Sequence, residues 1–133
     1  MQSSEIFPCT CLALALNRRD VSILETMLSE DAVFRNQEQN LQIEGKEAIL
    51  AFCRIWFHTL NISLEAGSAS FNAELAKIHL KGNFQICLLI RRNIRGATLR
   101  YLSICRTGDG LIRTIDLLAF QPGSIEELNI FPY

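Results

Sequence analysis

The sequence predicts an α+β domain in which helices pack on one face of a curved, mostly antiparallel sheet. Helix signals fill most of the first 60 residues, alternating strand patterns fill the second half, and tight-turn residues separate those strands. The 133 residues are expected to form one domain, spanning 1–133, with room for a core and a small cavity beside it.

Three helices are expected in the first half of the chain. Ser3 or Ser4 can cap the first helix, and Asp20 can cap a second, short one. Residues Ser29 to Asp31 are then expected to form a turn. Gly45 precedes a third helix, whose apolar residues share one face: Ile49, Phe52, Cys53, Trp56 and Leu60.

The strands begin with Ala32 to Asn36, followed by a polar, irregular span from Gln37 to Gln42. Between Ala76 and Ile90 the even positions are mostly apolar, whereas the odd positions begin polar, a period of two that is typical of a strand or of two strands joined near Gly82. This pattern predicts that the even side, including Phe84 and Ile86, faces a core.

Two hairpins and a tail are expected after that pattern. Arg91 to Ala97 is interpreted as a basic hairpin loop, and Gly108 to Gly110 as a tight turn. The last strand should run from Leu111 to Phe120. The tail from Ser124 to Tyr133 is expected to pack on the body through three apolar residues, Ile125, Leu128 and Phe131.

Composition excludes several classes of protein. Half of the residues are apolar and a fifth are charged, which argues against a disordered or fibrous chain. Residues 73–133 are more basic than residues 1–72, but their charges are scattered, so we expect no nucleic-acid site. The five cysteines form no CxxC pair, and no segment is apolar enough to span a bilayer. We therefore expect a cytoplasmic protein without a membrane, metal or cofactor requirement.

Four segments together resemble the nuclear transport factor 2-like superfamily, in particular its SnoaL-like and steroid-isomerase-like branches. They are ALNRRD, LSEDAVF, EGKEAI with its glycine, and GDGLIRTIDLLAF. The resemblance covers residues 9–120. It implies a cone-shaped, strongly bent sheet with three helices packed on its concave face and a pocket inside the cone. Members of this superfamily include isomerases, epoxide hydrolases, polyketide cyclases and transport factors.

The known catalytic sets of that superfamily are absent from this sequence. The steroid-isomerase positions of a base, a tyrosine and a protonated carboxyl fall at Asn36, Leu12 and Leu102. An amide cannot shuttle a proton, and leucines cannot stabilise an oxyanion. The epoxide-hydrolase positions keep only Asn36; the others read Phe34, Phe84, Ile86 and Leu117. The sequence therefore favours a protein that is not an enzyme, with isomerase, cyclase or hydrolase activity on a hydrophobic molecule as the alternative.

The resemblance and the strand pattern together predict an apolar interior with Asn36 as its main polar group. The expected lining residues, which are also the candidate ligand-binding residues, are Phe34, Asn36, Trp56, Phe84, Ile86, Leu88, Leu102, Ile104, Ile115 and Leu117. Such a lining suits an apolar small molecule held by one hydrogen bond. It equally suits a filled core in which Asn36 caps the backbone.

The outer face of the late strands is also apolar, and superfamily members commonly pair through it, so we expect a homodimer. The expected interface residues are Leu89, Leu99, Tyr101, Ile112, Asp116 and Leu118. Asp116 is also a weak catalytic candidate, because an apolar setting could raise the pKa of a carboxyl group. Arg91, Arg92 and Arg95 form the densest basic cluster and are read as a solvated loop or a partner site. A role as a protein-interaction module is the remaining alternative.

Overall fold

The computed structural model describes residues 2–37, 39–80, 82–119 and 130–132 and contains three helices and a seven-stranded sheet. The elements in chain order are α1 (Gln2–Arg18), α2 (Val21–Glu25), β1 (Leu28–Asn36), β2 (Leu41–Glu44), α3 (Lys46–Glu65), β3 (Ala69–Leu80), β4 (Asn83–Ile94), β5 (Ala97–Gly108), β6 (Leu111–Ala119) and β7 (Ile130–Pro132).

The sheet has the strand order β2-β1-β6-β5-β4-β3-β7. All neighbouring strands are antiparallel except β1 and β6, which are parallel and have α3 and four strands between them along the chain. The helices cover one face of this curved sheet. The fold class predicted from the sequence, an α+β domain with helices on the concave face of a bent sheet, is therefore confirmed.

The main core lies between the helices and the concave face. Fully buried residues of α1, α2 and α3, such as Leu12, Leu24 and Ile49, pack there against Leu88 and Ile112 of the strands. At the end of α1, the Asn17 side chain donates to the Ala73 carbonyl (2.7 Å) and accepts from the Ala73 amide (2.8 Å). This pair of hydrogen bonds satisfies backbone groups of β3 and fixes α1 over the concave face.

A smaller core lies on the opposite, convex face. Its buried members are Ala76, Ile78, Cys87 and Leu102, with Leu89, Ile104 and Ile130 packed against them. Ile130 belongs to β7, which pairs with β3 at the edge of the sheet. Both faces of the late strands are therefore apolar, as the sequence pattern indicates, because each face has its own hydrophobic cluster.

The expectation that even positions from Ala76 to Ile90 share one core is wrong for β3. Leu80 pairs with Asn83, so two residues separate the strands, and an odd residue of β3 lies beside an even residue of β4. Ala73 is thus opposite Ile90 on the concave face, and Ala76 is opposite Cys87 on the convex face. The expectation failed because this two-residue hairpin brings odd-numbered residues of β3 and even-numbered residues of β4 to the same face.

Several local expectations also need correction. Ser29 to Asp31 lie inside β1 rather than in a turn, and the span that was expected to be irregular leads into β2 at Leu41. Arg91 to Ala97 is mostly strand, with only Arg95 and Gly96 between β4 and β5. The tight turn at Asp109 and Gly110 is confirmed. The expected packing of Ile125, Leu128 and Phe131 lies outside the described side chains.

Candidate functional site

A cavity of about 260 Å³ lies between the concave face of the sheet and the three helices. Most of its lining is apolar or aromatic. The described lining residues are Leu12, Leu16, Leu24, Phe34, Asn36, Gln39, Leu41, Ile49, Phe52, Cys53, Trp56, Phe71, Ile90, Arg92, Tyr101, Ser103, Ile115 and Leu117. This volume lies just below the usual range for small-molecule pockets, which begins at ~300 Å³.

Aromatic rings form a large part of the cavity wall. The Phe34 and Phe52 ring centroids are 5.6 Å apart, and the Trp56 and Phe71 rings meet edge to face at 5.8 Å. Trp56 also packs on Phe57, which is buried beneath α3. Aromatic contacts of this kind join α3 to β1 and β3 and hold that side of the cavity open with rigid side chains.

Five polar side chains interrupt the apolar lining: Asn36, Gln39, Arg92, Tyr101 and Ser103. Asn36 and Ser103 are almost completely buried. The Asn36 Oδ1 atom accepts a hydrogen bond from the Gln39 backbone amide at 3.4 Å. The described lining includes no aspartate, glutamate or histidine, so no group there is suited to proton transfer at neutral pH.

Five of the ten expected lining residues lie at the cavity: Phe34, Asn36, Trp56, Ile115 and Leu117. Their binding of a ligand stays a prediction. The strand pairing explains why four of them meet, because Phe34 of β1 lies beside Ile115 of β6, and Asn36 lies beside Leu117.

The other five expected lining residues do not reach the cavity, so the prediction was wrong for them. Leu102 and Ile104 face the convex side, because Leu102 pairs with Leu89 and Ile104 pairs with Cys87; the intervening Ser103 faces the cavity. Leu88 is fully buried in the main core rather than at the cavity wall.

Phe84 and Ile86 lie near the β3–β4 hairpin, beyond the cavity. Phe84 is 63 % exposed, and its ring centroid lies 4.8 Å from that of His79. Ile86 packs on the edge of the main core. Both are on the concave side, as expected, but neither lines the cavity.

Asp116 lies on the convex face and takes no part in the cavity. Its Oδ1 atom accepts a hydrogen bond from Arg35 Nε at 2.8 Å, and the two residues are neighbours on the parallel strands β1 and β6. This ion pair gives Asp116 a structural contact, and its catalytic candidacy is not supported by the geometry.

The expected interface residues are divided between the two faces. Leu89, Asp116 and Leu118 face the convex side, as expected. Leu99 and Tyr101 face the concave side, since they pair with Arg92 and Ile90, and Ile112 is completely buried in the main core. The outward assignment is therefore wrong for Leu99 and Tyr101, because β4 and β5 are joined by a two-residue hairpin. It is wrong for Ile112 because the pairing of β5 with β6 shifts register between Arg106 and Thr107.

The buried cysteines are not activated thiols. Burial raises the pKa of Cys53, which lines the cavity, to about 11, and that of Cys87 to about 12. The pKa of Cys105 is also raised, first by a hydrogen bond with Cys9 and then by burial. A thiol with a raised pKa remains protonated at neutral pH and is a poor nucleophile.

The described parts of the chain lack two other kinds of feature. Residues 2–37, 39–80, 82–119 and 130–132 hold no cluster of three or more His, Cys, Asp or Glu side chains that could bind a metal ion. Over the same residues, no helix is both long and apolar enough to cross a membrane.

Arg92 is the residue that sequence reasoning assigned to a loop and that the structure places at the cavity. It belongs to β4, opposite Phe71 of β3 and Leu99 of β5. The sequence contained a signal for the position of Arg92, because Arg95 and Gly96 can form a two-residue turn. With that turn, β4 continues to Ile94, and alternation from Leu88 and Ile90 places Arg92 on the inner side. The same alternation places its neighbour Arg91 on the outer, convex side of the sheet.

The geometry therefore defines an α+β protein with a curved sheet, helices on its concave face and a mostly apolar cavity between them. A family model described as a SnoaL-like domain matches residues 11–115, and the chain belongs to this family. The fold is that of the nuclear transport factor 2-like superfamily, which confirms the resemblance seen in the sequence. No curated protein matches the chain.

Solved structures share this fold at low sequence identity. A nuclear transport factor 2-like protein of unknown function from Burkholderia xenovorans has a TM-score of 0.62 and 14 % identity, over 95 % of this chain and 93 % of that chain. An LEH-like epoxide hydrolase from M. tuberculosis has a TM-score of 0.62 and 16 % identity, over 95 % and 90 %. A similar protein of unknown function from Mesorhizobium loti has a TM-score of 0.63 and 13 % identity, over 90 % and 93 %.

Proposed function

We propose that this SnoaL-like domain binds an apolar small molecule in the concave cavity without transforming it. The cavity carries this proposal: a volume of 260 Å³ bounded by helices and sheet, with aromatic and aliphatic walls and a few polar groups, has the composition of a binding pocket. A cavity of ~150 Å³ suffices for benzene, so by proportion this one suits a ligand of about ten non-hydrogen atoms.

The composition of the lining supports binding over catalysis. The described lining residues supply amides, hydroxyls, one thiol and one guanidinium, but no carboxylate or imidazole. The thiol of Cys53 has its pKa raised to about 11 by burial. Without a base, an acid or an activated nucleophile, the cavity can orient a molecule but has no group to move its protons.

Trp56 provides a direct readout for the binding test, because it lines the cavity and is the single tryptophan of the chain. We expect its fluorescence to change, and the thermal midpoint to rise, when octanamide or another eight-carbon ligand is titrated. Ser103→Phe, which adds a ring inside the cavity, should weaken binding by at least about tenfold, since it removes the space for the ligand.

Ser103→Ala is the matched control, because it removes the hydroxyl without filling the cavity, and it should keep affinity for octanamide close to that of the wild type. The proposal is wrong if eight-carbon ligands at millimolar concentration change neither the fluorescence of Trp56 nor the thermal midpoint of the wild-type protein. Equal binding by Ser103→Phe and the wild type would place the ligand elsewhere.

We also propose that two copies of the chain pair through the convex face. Leu89 and Ile104 form apolar surface there beside Leu118, and the neighbouring charges are already neutralised by the Arg35–Asp116 pair and by Arg91–Glu74, at 3.4 Å. Neutralised charges cost less to bury than free ones, which makes such a face suitable for a protein interface.

Light scattering at micromolar concentration should give the mass of a dimer, and Leu118→Lys should shift it towards the monomer. Leu99→Lys is the control, because Leu99 is 42 % exposed but lies on the concave side. A monomeric wild type at that concentration would contradict the pairing, and so would a loss of the dimer in Leu99→Lys alone.

A further inference from the structure

Arg92 is the only charged residue among the described residues that line the cavity. Its side chain lies between Phe71 and Leu99 on the concave face, with Tyr101 on the adjacent strand. The Trp56 ring stands edge-on to Phe71, so the guanidinium belongs to an aromatic and aliphatic part of the site. The Arg92 side chain is of intermediate exposure, so solvent reaches part of it.

The Arg92 Nε atom is fully covered and has no hydrogen-bond partner. None of the ion pairs formed by the described residues includes Arg92. A buried donor of a charged group normally has an acceptor, and leaving it without one costs stability. The arginine is therefore prepared for an anion that the chain does not itself supply.

Arg91, the preceding residue, shows the contrast. It faces the convex side, is half exposed and forms an ion pair with Glu74 at 3.4 Å. The cavity contains no counterpart of Glu74, because its described lining has no acidic residue. Of these two adjacent arginines, only Arg92 lines the cavity, and only Arg92 has no acidic partner among the described residues.

We propose that the ligand of the cavity is an apolar carboxylic acid whose carboxylate binds Arg92. This inference rests on the proposed ligand-binding function and specifies the chemical class of the ligand. A carboxylate matches the planar donors of a guanidinium and carries one negative charge, which neutralises the single positive charge of the lining. A dianion such as a phosphate monoester would leave one charge uncompensated in an apolar site.

The other end of the cavity supports a ligand with a hydrocarbon body. Asn36 is on β1, which two strands, β6 and β5, separate from Arg92 on β4, and the lining from those two strands includes Leu117 and Tyr101. The carboxylate would occupy the Arg92 end while an aliphatic or aromatic tail fills the space towards Asn36. The estimate of about ten non-hydrogen atoms matches an eight-carbon acid.

The test compares octanoate with octanamide, which has the same number of non-hydrogen atoms but no charge. With Trp56 fluorescence as the readout at neutral pH, the wild-type protein should bind octanoate at least about tenfold more tightly than octanamide, because the ionic hydrogen bonds form in a site of low dielectric. Octylamine, of similar length and opposite charge, should bind more weakly than either.

Three variants test whether Arg92 causes the preference for octanoate over octanamide. Arg92→Met keeps the length of the side chain but removes its charge, and should reduce the octanoate preference to less than about threefold while octanamide still binds. Arg92→Lys should retain part of the preference. Arg91→Met is the matched control, since it removes the adjacent charge on the outer face, and its preference should equal that of the wild type.

The outcomes separate the two proposals. If neither octanoate nor octanamide binds the wild type, the ligand-binding function itself is wrong. If both bind with equal affinity, the cavity binds ligands but the assignment of a carboxylate to Arg92 is wrong. The assignment is also overturned if Arg92→Met preserves the octanoate preference, or if Arg91→Met abolishes it.

Discussion

Arg91 and Arg92 are neighbours on β4, yet they face opposite sides of the sheet and differ in their partners. The convex face pairs its charges within the chain, as in Arg91–Glu74 and Arg35–Asp116. The concave face keeps one guanidinium without an acid beside a cavity. This difference between the faces is the observation on which the proposed binding of a carboxylate rests.

The two faces also differ in how deeply their apolar residues are buried. Leu88 on the concave side is completely buried, whereas Leu89, next along β4, is only partly buried on the convex side. The helices account for this difference in burial. Helix α1 contacts β4 on the concave side, whereas no described helix covers the convex face. Stability should therefore depend on the concave side far more strongly.

Leu88→Ala should produce the largest loss of stability, because the cavity it leaves cannot collapse between α1 and the sheet. We expect the free energy of unfolding to fall by about 2 to 5 kcal/mol. Leu89→Ala, the matched change on the other face, should cost about 1 kcal/mol. Urea unfolding at one fixed protein concentration measures both, and equal losses would contradict the difference between the faces.

Arg92→Met should make the ligand-free protein more stable. Replacing a covered, unpartnered donor with an apolar side chain of similar length should raise the free energy of unfolding by about 1 kcal/mol. Arg91→Met should change it by less than about 0.5 kcal/mol, since its partner Glu74 is half exposed and the pair is screened by solvent.

Urea titrations without added ligand provide the comparison. Should Arg92→Met prove less stable than the wild type, the guanidinium has a stabilising contact within the chain, and its availability to an external anion is refuted. A gain in stability together with a loss of octanoate binding would show that the residue serves binding at the expense of folding.

The sequence predicted the fold, and five of the ten residues that it placed in the cavity lining do lie there; particular residues show why the others do not. Phe34, Asn36, Ile115 and Leu117 were placed at the cavity by the family resemblance together with alternation within their strands. Arg92 was missed, since its orientation depends on the length of the hairpin between β4 and β5.

Alternation within a strand is visible in a sequence. Which residues of two neighbouring strands share a face, however, is set by the register of their pairing. One extra residue assigned to a turn moves every later side chain to the opposite face. Leu102 and Ile104 were assigned to the wrong face in this way, although both are apolar and buried or partly buried as expected.

The Arg35–Asp116 pair gives a small expected effect and tests whether Asp116 has only a structural role. Asp116→Asn should lower the free energy of unfolding by about 0.5 kcal/mol, because Arg35 is 40 % exposed and the pair is partly screened. A double-mutant cycle with Arg35→Gln isolates the coupling between the two side chains. Since Asp116 lies on the face opposite the cavity, the affinity for octanoate should be unchanged in Asp116→Asn. A fall in that affinity would connect the two faces and would restore Asp116 as a candidate functional residue.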